Sequence, residues 1–468
     1  MSPRSFDLQV VFPQLKTLQV EGRNNILETL WDNNGLTKNS FWKLQYIHIH
    51  ESSTYDVNRV VALTSLSLRL LPKLKHVWSN DPAQILLTFP NLKEARVMKC
   101  PQLKTLFPAN SFIYHMKEIE TSYFDGGNEI FAEDEASQLM SPEILLFPSL
   151  RELTMHYSKL MKRRSFWVRA ESFPKLQTLC LIGWEDEGMV SSPLETSELV
   201  RRSVEHLQIK NACELVQVFQ NGEGNNNNDA SSSGGDAKLK FLSLYNLPNL
   251  MHVWEDNSDQ MSSSCFDILG YIYVTRCEKL RYLLPSSITF FNLTTLWVDN
   301  CNEMMNLFES SVAKNLVNLG SMVISKCRRI SCIVIAEGGG GVGEDEETIS
   351  FNKLHYLRLN DLGELLSFHP EKCRLKFPSL EELRIEDCPE MKTFSYGILT
   401  TPKLAYVHIE EREIPLSPAE GLNVIIRRRW KDKYVKNLLT QQVILIPMEL
   451  SRMERKMEQI ISFNGRSS

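Results

Sequence analysis

The residues whose types and spacing could carry chemistry are a glycine-rich loop, a histidine pair and ten cysteines. The loop reads GGGGVGEDEE and closes on Glu344, Asp345, Glu346 and Glu347. A phosphate cradle needs backbone N–H groups followed by a Lys and a Ser or Thr that reach the phosphates and their metal. Four acids stand there instead and repel phosphate, so the loop argues against nucleotide binding. His48 and His50 alternate on one predicted strand. Two imidazoles with no third ligand nearby in sequence make a surface pair rather than a metal site. Cys-x-x-Cys is absent, the two closest cysteines being Cys327 and Cys332. No nucleophile elbow, zinc-protease or kinase signature occurs. The expectation is a protein without catalytic activity, cofactor or metal.

The cysteines lead instead to a periodicity. Cys100, Cys277, Cys301, Cys327 and Cys388 each lie eight residues after the first apolar residue of a Leu-x-x-Leu-x-Leu pattern, and Cys213 lies nine after its own. In other copies this position is Leu71, Leu247 or Leu362. A site that takes either a thiol or a leucine is a buried apolar site, where free Cys acts as a small hydrophobe. Unpaired thiols in turn point to a reducing compartment, here the cytoplasm.

The pattern is often introduced by Phe-Pro, as in Phe12-Pro13 with Leu15, Leu18 and Val20, Phe89-Pro90 with Leu92, Ala95 and Val97, and Phe377-Pro378 with Leu380, Leu383 and Ile385. Fifteen copies run from the marker Leu15 to the marker Leu404, with a mean spacing of about 28 residues, the period of leucine-rich repeats. Residues +3 and +5 after each marker alternate with polar ones, as a strand with one buried face requires. Later apolar residues such as Leu103, Leu106 and Phe107 bring the chain back over the core. One copy cannot bury its apolar face alone, so neighbours stack. The expected fold is therefore an α/β leucine-rich-repeat solenoid, a curved horseshoe with a parallel sheet on its concave side and irregular or short helical segments on its convex side.

Residues 1–412 are assigned to the array, with polar, low-complexity excursions near 123–146, 221–238 and 337–350 that cannot bury apolar area. Residues 413–468 are assigned to a cap and a partly helical, partly disordered tail, with Arg427-Arg428-Arg429-Trp430-Lys431 and a capping box from Ser451 to Glu454 ahead of Met457 and Ile460. A net charge of −5 gives no support for broad nucleic-acid binding. No apolar run reaches transmembrane length, and the amino terminus lacks a secretory pattern. The sequon at Asn292 sits beside the core marker Leu293, so it is read as coincidental.

A binding function belongs to the outward positions +2, +4 and +6. Most are polar, such as Thr17, Gln19, Glu94, Arg96 and Glu382. In the middle they become aromatic: Phe241, Tyr245, Tyr271, Tyr273 and Trp297, from consecutive copies. Parallel strands are about 4.8 Å apart, so these side chains should form one exposed patch. The competing reading is that the 221–238 excursion folds back over it. Arg358 and Arg384 are the charged positions expected to flank the patch.

The run Phe-Pro-x-Leu-x-x-Leu/Ala-x-Ile/Val-x-x-Cys-Pro-x-Leu-x-x-Leu-Phe-Pro at 89–108 resembles the repeat region of plant coiled-coil nucleotide-binding disease-resistance proteins. So does Leu-Pro-x-Leu-x-x-Val-Trp, at Leu71–Trp78 and again at Leu247–Trp254. Glu420-Gly421-Leu422-Asn423 followed by Ile425-Ile426 resembles the stretch that closes such arrays. The resemblance covers roughly residues 10–430. It implies a recognition module of plant defence whose partner is a pathogen effector, a guarded host protein or the nucleotide-binding (NB-ARC) domain of a receptor. That family's nucleotide-binding domain and coiled coil have no counterpart in these residues. The chain is therefore expected to be part of a receptor, a truncated product or a protein completed by another chain. A substrate adaptor of a ubiquitin ligase is the alternative; it calls for an F-box helix pair, and about ten residues precede the first repeat.

Overall fold

The computed structural model describes most of residues 64–75, 91–107, 115–122, 147–156, 173–183, 204–219, 238–254, 266–336 and 347–433, with strands at 15–21, 31–32, 35–36, 46–51 and 129–131. The expectations for residues 221–237 and 434–468 lie outside the described residues. Two compact units, residues 1–297 and 298–468, make up the chain.

The first unit stacks one strand per copy. Leu15–Glu21, Ser65–Arg69, Glu94–Met98, Glu118–Ser122, Glu152–His156, Thr178–Ile182, His206–Lys210, Phe241–Tyr245 and Tyr271–Thr275 follow one another as parallel neighbours. Register is uniform: Leu66, Ala95, Ile119, Leu153, Leu179, Leu207, Leu242 and Ile272, all at +3, stand in one line. Every one of them is buried. A slip by one residue would carry the whole line to the solvent face, which is why the alternation holds register so firmly.

One copy departs from the expected parallel stack. Tyr46–Glu51 pairs antiparallel with Leu15–Glu21, and Leu15–Glu21 pairs directly with Ser65–Arg69. Only 19 residues separate the markers Leu44 and Leu63, the shortest interval in the chain. An antiparallel neighbour needs no return crossover, so it fits where a full turn of the solenoid does not.

In the second unit Ser321–Ser325, Tyr356–Asn360, Glu382–Glu386 and Tyr406–Ile409 are likewise parallel neighbours of one another, and Arg412–Pro415 turns back antiparallel beside the last of them. The return side is more regular than expected. Among the described residues it carries the helix Ser310–Asn315 and short parallel ladders: Phe308–Glu309 with Val334–Ile335, then Thr348–Ser350, Arg374–Lys376 and Leu399–Thr400. In the first unit Glu129–Phe131, inside the expected excursion at 123–146, pairs with Thr105–Phe107.

Two packing columns explain the recurrent Phe. Phe147, Phe173, Phe266 and Phe290 in the first unit and Phe351 and Phe377 in the second each stand three residues before a marker, and all are buried. Phe147 stacks on Phe173 at 5.6 Å and Phe351 on Phe377 at 5.3 Å. All of their carbonyls but that of Phe351 accept the N–H of the marker, as in Leu176 N to Phe173 O at 3.1 Å. The second column takes the large residue on the return side. Trp254 packs on Phe219 at 5.0 Å and edge-on against Phe266 at 4.5 Å, and its Nε1–H donates to Leu283 O at 2.6 Å. The indole's polar atom is thereby satisfied inside the core, as burial demands.

A third column lies at the end of ten of the described strands. Leu70, Lys99, Asn211, Asn246 and Arg276, and in the second unit Asn300, Lys326, Asp361, Asp387 and Glu410, all have φ between 48° and 56° and stand one residue past a strand. This left-handed step costs roughly 1 kcal/mol for a residue with a Cβ. It adds one more inter-repeat bond, such as Asn246 N to Thr275 O at 2.9 Å and Lys326 N to Asn360 O at 2.9 Å. It also turns the next residue inward. Cys100, Cys277, Cys301 and Cys327 are 0% exposed there, with each thiol donating to the carbonyl two residues back. Cys388 is half-buried, and its thiol makes the same bond to Glu386 O.

The end of the second unit is closed by residues 422–433, which are helical. Leu422, Ile425 and Ile426 are buried. Asn423 Oδ1 accepts from Phe394 N and Ser395 N at 3.0 and 2.9 Å and from Thr393 Oγ1 at 3.0 Å. One side-chain amide thus satisfies the donors that a following repeat would otherwise take up. Arg427–Lys431, assigned to the tail, belongs to this helix; Trp430 lies under Lys392 Nζ, 5.3 Å from the ring centre.

Candidate recognition surface

The parallel register of the first unit fixes which outward side chains meet. Phe241 stands opposite Tyr271, Ser243 opposite Tyr273, and Tyr245 opposite Thr275. Phe241 stacks diagonally on Tyr273 with centroids 5.3 Å apart and 28° between planes. Tyr273 stacks in turn on Trp297, at 6.3 Å and 21°. Phe241 lies 6.3 Å from Tyr271, and His206 joins the near end at 5.8 Å from Phe241. Four of the expected aromatic residues therefore form one ladder across three strands, and His206 extends it. Trp297 is 37% exposed, Tyr271 45% and Tyr245 37%; Phe241 and Tyr273 are half-buried by their neighbours.

Tyr245 takes a different partner. Arg276, one residue past the next strand, places its guanidinium 5.7 Å above the Tyr245 ring. Arg276 escaped the sequence reading because it falls outside the +2, +4, +6 set. It takes the left-handed step at this position, and its side chain lies over the sheet face. His206 escaped because an imidazole among polar residues gives no aromatic signal of its own.

Arg358 and Arg384 lie in the second unit, directly opposite each other on neighbouring strands. Arg358 is bound to Glu386 at 2.7 Å, with Nε buried and lacking an acceptor; Arg384 is bound to Glu382 at 2.5 Å. The hydrogen bond that it donates to Glu382 raises the Arg384 guanidinium above its ordinary value. The two arginines are thus occupied by their own unit's carboxylates. Beyond them Arg384, His408, Arg412, Arg429 and Lys433 face Glu386, Asp387, Glu410, Glu411 and Asp432 around a groove of about 860 Å³. Both signs alternate there, so the groove selects neither.

One arrangement resembles a nucleophile pair. Ser310 Oγ lies 3.3 Å from His369 Nε2, while His369 Nδ1 accepts from Glu371 N at 3.1 Å. Both side chains are 0% exposed, and Ser310 Oγ also donates to Ile335 O. Sealed from solvent, the pair ties the short helix to neighbouring turns. Of the acidic run, Glu347 is bound to Lys314 at 2.8 Å. Among the described residues no group of three His, Cys, Asp or Glu could hold a metal ion. Nor is any helix there long and apolar enough to cross a membrane. The side chains of His48 and His50 lie outside the described residues.

Stacked parallel strands, an inward Cys/Leu column and an outward aromatic face define a leucine-rich-repeat protein. Residues 4–122, 147–290 and 288–328, more than half of the chain, match the family described as "Plant disease resistance protein RPS2-like, leucine-rich repeats". The chain belongs to this family. It is also 29% identical over 156 residues to "Probable disease resistance protein At1g61190" of Arabidopsis thaliana, a match covering 33% of this chain and 15% of that protein.

Proposed function

We propose that the chain is a non-catalytic protein-recognition module of plant innate immunity, acting in the cytoplasm. It senses a pathogen effector or a modified host protein, or holds the nucleotide-binding domain of an immune receptor inactive. The observation that carries this reading is the aromatic ladder of Phe241, Tyr273 and Trp297, with Tyr271 beside it, on a sheet face of an otherwise polar repeat array. Aromatic residues supply much apolar contact area at modest entropic cost, and a few of them can dominate an interface. Stacking lowers that cost further, because each ring already restricts its neighbour's rotamers. Membership of a disease-resistance family supports the setting. Nine described cysteines without a disulfide are consistent with a reducing compartment.

The test is affinity capture by the full chain from pathogen-challenged and unchallenged plant tissue, read by mass spectrometry. A specific protein recovered by the wild type and at least tenfold less by Tyr273→Ala/Trp297→Ala supports the reading. Equal recovery by a folded double variant contradicts it.

A further inference from the structure

Lys210 and Arg276 stand at one end of the aromatic face and make no ion pair among the described residues of their unit, whereas Lys240, at the opposite rim, is neutralised by Glu205 at 2.9 Å. Lys210 is the register partner of Tyr245 on the preceding strand. Arg276 follows Thr275, the partner of Tyr245 on the next strand, and lies over the same ring. The two cations therefore straddle Tyr245 across two strand spacings, about 10 Å. Two cations with no ion pair among the described residues of their unit thus stand beside exposed rings and form a local positive edge on an apolar surface.

We infer that this edge sets the chemistry of the partner: a polypeptide segment carrying a carboxylate beside bulky apolar side chains. The inference rests on the reading of the ladder as the docking face. A guanidinium is a planar fork that meets a carboxylate with two parallel hydrogen bonds, and stacking on Tyr245 holds that fork in place before binding. Lys210 supplies a second, less directional positive charge. Tyr271, Tyr273 and Trp297 receive the apolar side chains. Tyr245 and Tyr273 are one strand and two residues apart, so the partner's acid and its apolar group lie within about 10 Å, or about three residues of extended chain. A cationic partner would meet Lys210 and Arg276 with like charge.

The experiment selects displayed random 12-residue peptides on the full-length chain at low salt, then measures the enriched peptides against two variants. Lys210→Gln/Arg276→Asn removes both charges. Asn fits the left-handed step, as Asn211 and Asn246 do at the same place in earlier copies. Tyr273→Ala/Trp297→Ala removes the ladder, and thermal melts establish that both variants are folded. The expected result is a peptide family with Asp or Glu two to five residues from Trp, Phe, Leu or Met. Its affinity should fall at least tenfold in each variant and weaken with added salt. Peptides that lack acids, and that depend on Trp297 but not on Lys210 and Arg276, overturn this inference and leave the docking face standing. Peptides indifferent to the ladder variant overturn both. A selection that enriches no family overturns the inference.

Discussion

Tyr273 and Trp297 stack 6.3 Å apart on the outward face of neighbouring repeats, with 21° between their planes. Because both are at +4, they leave the buried columns at +3 and +5 untouched. Each stacked pair contributes roughly 0.5–1.5 kcal/mol. The double variant Tyr273→Ala/Trp297→Ala should therefore lower the thermal midpoint by only a few degrees, as scanning calorimetry would read it. Loss of cooperative unfolding would place these rings in the core.

Trp254 supplies the contrast within the same unit. It is 3% exposed, packs on Phe219 and Phe266, and donates its indole N–H to Leu283 O. Trp254→Ala should cost about 3–5 kcal/mol, measurable by urea denaturation. A cost matching that of Trp297→Ala would contradict the division between inward and outward columns.

The thiols give a pH prediction. Burial pushes Cys100 up to about 11 and Cys388 up to about 12, and Cys327 is raised by its hydrogen bond with Cys301 together with burial. A folded-state pKa raised above the unfolded value, near 9, means that the unfolded chain loses its protons first. The contribution is fully present below pH 9 and is lost as pH rises towards 11–12. Stability followed by denaturant titration should fall across that window. At pH 8, Cys100, Cys277, Cys301 and Cys327 should resist alkylation in the native protein and react after denaturation; fast native labelling would overturn the assigned register.

Asn423 closes the second unit by accepting from Thr393, Phe394 and Ser395. Asn423→Ala leaves the Phe394 and Ser395 N–H groups unpaired, whereas Thr393 Oγ1 keeps Ser395 O as its acceptor; the cost is roughly 1–3 kcal/mol for a buried unsatisfied group. Hydrogen exchange at Phe394 and Ser395 should accelerate at least tenfold. Unchanged protection would mean that water or another acceptor closes this end.

The repeat was legible because a two-residue alternation and a Cys/Leu column are hydrophobic signals, and Leu66, Leu207 and Leu242 lie where that alternation puts them. The left-handed column was not. Lys99, Arg276 and Lys326 carry only polarity at that position, and residues of several types take the same backbone step. Asn211, Asn246, Asn300, Asp361 and Asp387 were the available hint, since Asn and Asp favour this region. The direction of Tyr46–Glu51 was illegible for a different reason: alternation is the same whichever way a strand runs. The aromatic residues were legible one by one, but the diagonal stack of Phe241 on Tyr273 depends on strand register.

The most direct test of the recognition face is site-specific photo-crosslinking in pathogen-challenged plant tissue. A benzophenone amino acid is placed either at Tyr271, on the aromatic face, or at Tyr282, which is 57% exposed and outside the concave sheet. The captured partner should crosslink from position 271 and not from position 282. Crosslinking from 282 alone, with the same partner still captured, would contradict this.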